Sequence, residues 1–216
     1  MARLAVGVDP EVNFLAHLCL SGDDPEVMLG NLMGDFLKGV DATRYPPAIQ
    51  RGIRLHRAID GFTDAHPVFG RSRRRLPPPY RRYAGVLVDV FYDHFLARDW
   101  RRYRPSEDLS SFVRRTYRML ADPPVDPPTR LKNALPYMIR EDWLGSYATQ
   151  DGIDRQLKRL SRRVSRANPL GSGVSQLALH YDGLSTDFAE FFPAIMLHVR
   201  DVTEVERPQV PRERAS

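Results

Sequence analysis

The chain has 216 residues, 42% hydrophobic and 27% charged, with a formal net charge of +5 that implies attraction to an acidic partner. No apolar run reaches the roughly 18 residues of a membrane span, which excludes membrane insertion, and Met1 to Pro10 lacks the cationic start and long apolar middle of a secretory leader. A single cysteine, Cys19, excludes an internal disulfide framework and leads to the expectation of a soluble, cytoplasmic protein.

Helical spacing recurs along the chain, and no alternating apolar–polar run marks a strand. Asn13 to Leu20 reads as a short apolar helix. Asp24-Pro25 is an N-cap followed by a first-turn proline, opening a helix to about Leu37. Pro46-Pro47 opens the next, with Ile49, Ile53 and Ile59 on its apolar side, and His66-Pro67 closes it. After the break at Pro77 to Pro79, Tyr80 to Trp100 reads as one long helix. Ser106 caps another that ends before Asp122-Pro123-Pro124. A helix from Thr129 to about Trp143 carries Pro136, which predicts a kink. Gly152 to Val164 is a basic amphipathic helix, Asn168 to Gly173 a loop, and Val174 to about Val202 helical with a break predicted at Pro193.

The pattern predicts an all-α fold of about seven or eight helices in one domain over 1–216, with residues 1–12 an N-terminal extension and 207–216 a frayed polar tail.

Two segments combine acids and histidines with apolar residues. In the first, His56, Asp60 and Asp64 fall at i, i+4 and i+8 and stack along one helix side, which Ile49 and Ile53 share. In the second, Asp89 and Asp93 are i, i+4 neighbours, His94 follows, and apart from Tyr92 the surrounding residues are aliphatic or Phe. Buried carboxylates need compensation, and like charges one turn apart repel. A divalent cation shared between the two helices answers both demands. Imidazole and carboxylate ligands suit Zn²⁺, Mn²⁺, Fe²⁺ or Mg²⁺. Pairing of these acids with arginines such as Arg54 and Arg57 is the structural alternative.

Asp35 is a further candidate, because Asn31 precedes it by one turn on the same helix face. His17, after Phe14-Leu15-Ala16, reads somewhat more readily as a satisfied core histidine than as a ligand. His66 before Pro67 is explained by capping, and Cys19 by packing. No phosphate-cradling glycine loop, nucleophile elbow or His-Glu-x-x-His motif occurs.

At these residues the chain resembles the acyl carrier protein phosphodiesterase family. The resemblance rests on Asn13-Phe14-Leu15-Ala16-His17-Leu18, Gly30-Asn31-Leu32-Met33-Gly34-Asp35-Phe36, Leu55-His56-Arg57 with Asp60 to Pro67, and Asp89 to Leu96. Asp142-Trp143-Leu144-Gly145-Ser146-Tyr147 and Asp187-Phe188-Ala189-Glu190-Phe191-Phe192-Pro193 extend it. The resemblance implies an HD-like helical hydrolase, a divergent relative of the HD-type metal phosphohydrolases. It implies removal of 4′-phosphopantetheine from holo-acyl carrier protein, with Mn²⁺ as the usual metal. The implied metal set is Asp35, His56, Asp60, Asp89, Asp93 and His94, with Asp60, Asp64 or His94 holding the attacking water or protonating the leaving oxygen. This chain reads Asp93-His94, the reverse of the adjacent pair of the wider superfamily.

An acidic carrier also gives the basic run a purpose. Arg71, Arg73, Arg74, Arg75, Arg81 and Arg82 lie in the connection between the two acid-bearing segments and form a candidate docking surface. Two competing readings are an HD-like phosphohydrolase acting on nucleotides or nucleic-acid ends, and a non-enzymatic basic helical protein. The second leaves Asp89 and Asp93 unexplained, so nucleic acid is not the expected partner.

Overall fold

The computed structural model describes residues 13–37 and 41–205, so the expected extension at 1–12 and tail at 207–216 lie outside the described residues. Among the described residues there is no strand, and the fold is all-α as the spacing predicts. Twelve helices occur where about seven or eight are predicted, because single prolines and caps both end one helix and begin another.

The first two helices follow the sequence closely. α1 (Phe14–Leu20) is apolar, and Asp24 accepts from the amides of Glu26 and Val27 to cap α2 (Pro25–Met33). A 3₁₀ turn, Gly34–Phe36, then ends the segment before Leu37. α3 (Pro47–Ala65) carries the apolar stripe Ile49, Ile53 and Ile59. α2 and α3 cross backbone to backbone: a Cβ at Gly30 would collide with the Ile49 carbonyl, and one at Gly52 with the Val27 carbonyl.

His66 closes α3 and also caps α4 (Pro67–Arg75), accepting from the Val68 amide through Nδ1. The basic run read as a connection is therefore largely helical. Pro67 sits at its first position, where a missing N–H costs nothing. After a 3₁₀ turn over Tyr80–Tyr83, α5 (Ala84–Arg98) begins four residues later and ends two residues earlier than expected. It is buried nearly all round, as its apolar sequence requires.

α6 (Trp100–Tyr103) is one turn long. α7 (Leu109–Ala121) is capped by Asp108 rather than Ser106, since the Asp108 carboxylate accepts from the Ser111 amide. α8 (Thr129–Arg140) accommodates Pro136 but stops short of Trp143, because Asp142 adopts a left-handed φ of 46°. α9 (Trp143–Ser146) follows, and Thr149 then caps α10 (Gln150–Arg163).

The last segment divides at His180 and not at Pro193, into α11 (Val174–Leu179) and α12 (Tyr181–Val205). Pro193 lacks one amide, yet Phe188, Phe191 and Phe192 before it and Ile195 after it are all buried. Burial of four large side chains at about 1.5–3 kcal/mol each outweighs a roughly 3 kcal/mol proline cost. The buried apolar side chains from α1 to α12 form one contiguous core. Cys19 belongs to it, and burial pushes its thiol up to about 12.

Candidate metal centre

The α2–α3 crossing brings two histidines and two carboxylates together. Asn31, wholly buried on α2, fixes the first histidine. Its amide nitrogen donates to the His17 carbonyl at 3.0 Å and to Ser21 Oγ at 2.8 Å. Its oxygen therefore faces His17 Nδ1, 2.8 Å away, and that nitrogen donates the proton. In the neutral ring His17 Nε2 then carries a lone pair. This buried atom has no hydrogen-bond partner among the described residues and lies 3.4 Å from Asp60 Oδ1.

His56 stacks on His17 with ring centroids 4.4 Å apart. Gly34 makes room for it, because a Cβ there would strike the His56 ring. His56 Nε2 lies 3.4 Å from Asp35 Oδ1 and 3.4 Å from Asp60 Oδ2. The histidines are 3% and 6% exposed and the carboxylates 18% and 21%, so imidazoles floor the site and acids form its accessible rim.

Burial alone would discharge His56, but Asp35 and Asp60 outweigh it and raise its pKa to about 9. Burial would likewise raise Asp60, yet His17 and His56 hold it far below the usual carboxylate range. The 3.4 Å separations are longer than charge-assisted hydrogen bonds of about 2.7–2.9 Å. They equal the spacing of ligand atoms that each stand about 2.1 Å from one cation. One ligand atom each from Asp35, His56 and Asp60 falls within a 4.8 Å group able to hold a metal ion. The unsatisfied His17 Nε2 faces the same Asp60 carboxylate.

The other sequence candidates do not belong to this three-residue group. Asp64 is exposed, one turn beyond Asp60 on α3. Asp89 is buried and lines a cavity of about 20 Å³ with Ala16, Ile59, Thr63 and Tyr92. Asp93 reaches α1, where no side chain caps the helix. Its two oxygens accept from the Leu15 amide at 3.0 Å and the Ala16 amide at 2.8 Å, so it acts as an N-cap supplied from another helix. Burial pushes the Asp93 carboxyl up to about 8 against the pull of both amides and the Tyr147 hydroxyl.

His94 is engaged at both ring nitrogens. Nδ1 donates to the Tyr147 carbonyl at 2.9 Å, and Nε2 lies 3.0 Å from the Tyr181 hydroxyl. Burial lowers its pKa.

The arginine run also divides. Arg71 and Arg75 both bind the buried Asp187 carboxylate through Nε at 2.7 Å, and Ser72 Oγ donates to it at 2.8 Å, tying α4 to α12. Burial would raise the Asp187 pKa, but Arg75, Ser72 and Arg71 hold it below the usual range. Arg73, Arg74, Arg81 and Arg82 are exposed.

The fold and the site define an all-α protein with a partly exposed His/Asp cluster that could hold a divalent metal ion. The comparisons narrow the class. The model of the acyl carrier protein phosphodiesterase family matches residues 12–195, and the chain belongs to that family. A relative from Salmonella agona (strain SL483), "Acyl carrier protein phosphodiesterase", is 37% identical over 185 residues, 86% of this chain and 96% of the relative. One of the same name from Enterobacter sp. (strain 638) is 35% identical over 190 residues, 88% of this chain and 98% of the relative. No solved structure matches significantly.

Proposed function

We infer that the chain is a metal-dependent phosphodiesterase that releases 4′-phosphopantetheine from the serine of holo-acyl carrier protein, leaving the apo form. Family membership supports the reaction, and the observation that carries the metal dependence is the converging Asp35, His56 and Asp60 set beside the unsatisfied His17 Nε2. His17, Asp35, His56 and Asp60 are the proposed ligands. Two imidazoles and two carboxylates suit Mn²⁺, the family's usual metal by resemblance, and also Fe²⁺ or Zn²⁺, with Mg²⁺ favoured less. A bound divalent ion supplies Lewis acidity, which polarises a phosphoryl oxygen and makes water acidic.

The chain's own residues do the rest. Asn31 holds the His17 ring so that Nε2 faces the site. The Asp35 and Asp60 rim leaves the cluster open to a substrate phosphate. Of Asp60, Asp64 and His94, the exposed Asp64 is the remaining candidate to accept a proton from the attacking water or return one to the serine oxygen, since Asp60 is a proposed ligand and His94 is held at both nitrogens. Asp93 caps α1, which carries His17, and His94 ties α5 to the Tyr147 carbonyl and the Tyr181 hydroxyl. No helix among the described residues is long and apolar enough to cross a membrane.

The test is the mass of holo-acyl carrier protein incubated with the chain and Mn²⁺. Loss of the prosthetic arm is expected, and it should vanish on chelation and return with Mn²⁺. An unchanged mass with metal-replete protein would overturn the reading.

A further inference from the structure

A protein-borne phosphodiester has to be held by a protein-docking surface, and a strongly basic concavity lies on α10. Arg155, Lys158, Arg159, Arg162 and Arg163 stand at i, i+3, i+4, i+7 and i+8, which places them on one side of the helix over about 12 Å. They line a cleft of about 480 Å³ that faces α8 and Trp143. The cations are organised by that indole. The Arg159 guanidinium lies over the Trp143 ring at 4.1 Å and that of Arg163 at 5.3 Å.

Two carboxylates offset only part of the charge. Lys158 pairs with Asp154 at 2.6 Å, and Arg159 with Glu141 at 2.9 Å. Arg155, Arg162 and Arg163 pair with no carboxylate among the described residues, and all three are exposed. Burial draws the Arg159 pKa down, Glu141 opposes this, and Arg163 adds to it.

Resting on the proposed activity, we propose that this α8–α10 cleft is where the protein substrate docks, through carboxylates spread along one of its helices. One phosphate would engage two guanidinia at a point. Five cations over two helical turns, beside the 51% exposed ring of Tyr137, suit an extended acidic face with an aromatic anchor. Trp143, on the wall of the cleft, stacks through the core on Phe14 of α1 at 6.1 Å, one helical turn from His17.

The experiment compares wild type with Arg155→Glu/Arg162→Glu on holo-acyl carrier protein and Mn²⁺ at low salt. KM is expected to rise about tenfold or more with kcat within about twofold, and the difference should shrink at high salt. Hydrolysis of bis(p-nitrophenyl) phosphate, which needs no docking, is expected to be unchanged. An unchanged KM for the carrier, or an equal loss on the small diester, would overturn the proposal. So would a KM rise seen only with Arg73→Glu/Arg74→Glu, which moves docking to α4. Lost competition by inorganic phosphate with carrier KM unchanged would instead mark a small-anion site and also overturn it. Wild type that releases no arm fails the activity reading alone, a result separable from wild-type turnover with an indifferent variant.

Discussion

Two acid–histidine segments of the same composition meet opposite fates in this fold. On α3, His56 and Asp60 meet His17 and Asp35 at 3.4 Å, and two buried imidazole nitrogens, His17 Nε2 and His56 Nδ1, have no hydrogen-bond partner among the described residues. On α5, Asp93 takes the Leu15 and Ala16 amides, and His94 is held by the Tyr147 carbonyl and the Tyr181 hydroxyl. The electrostatics diverge accordingly: Asp60 is held far down and Asp93 is pushed up, while His56 is raised and His94 lowered. An acid in an apolar helix is a demand for partners. Whether a metal or a helix end meets that demand depends on the neighbouring element.

The sharpest way to break the contrast is metal binding. His56→Ala and Asp60→Ala are expected to lose more than about 100-fold in Mn²⁺ affinity, beyond the 10- to 100-fold typical of groups that only orient ligands. His94→Ala should stay within a few-fold of wild type. Calorimetric titration of metal into stripped protein decides this, and an equal loss at His94 would return α5 to the site.

Stability should show the reverse order. Asp93→Ala removes the α1 cap and strands two amides, an expected cost of about 3 kcal/mol in denaturant unfolding. Asp60→Ala, in the chelated protein, should cost less than half of that. Equal costs would mean that Asp93 is not a helix cap.

The smallest effect is also the most specific. In chelated protein His56 should titrate near pH 9 in an NMR series, with His94 below the ordinary 6.5. The signs follow. The His56 contribution to metal-free stability is fully present below pH 6.5 and is lost as pH rises through about 9. Protonation of His94 opposes folding as pH falls below 6.5. Because His56 must shed its proton to bind a cation, metal affinity should climb over pH 6.5–9.

Much of this was legible in the sequence. Asp24-Pro25 and Pro46-Pro47 mark the starts of α2 and α3, and the His56–Asp60 spacing places both on one face. Asp35 could be reached through its spacing from Asn31. His17 could not be assigned, because its role depends on which way the Asn31 amide points, and that is set by the His17 carbonyl and Ser21. The role of Asp93 was hidden for a similar reason: the amides it caps lie 78 and 77 residues away. α4 was missed because His66-Pro67 reads equally as an end and a beginning.

The crossing at Gly30 and Gly52 bears on how related sequences are to be judged. The approach of Asp35 to His56 depends on residues that carry no side chain at all, Gly30 and Gly52 at the crossing and Gly34 against the His56 ring. One added methyl group at Gly30 or Gly52 would pry the helices apart and leave every ligand in place but out of reach of a shared ion. A sequence that keeps both histidines and both acids is therefore expected to keep the same geometry only if it keeps these glycines as well.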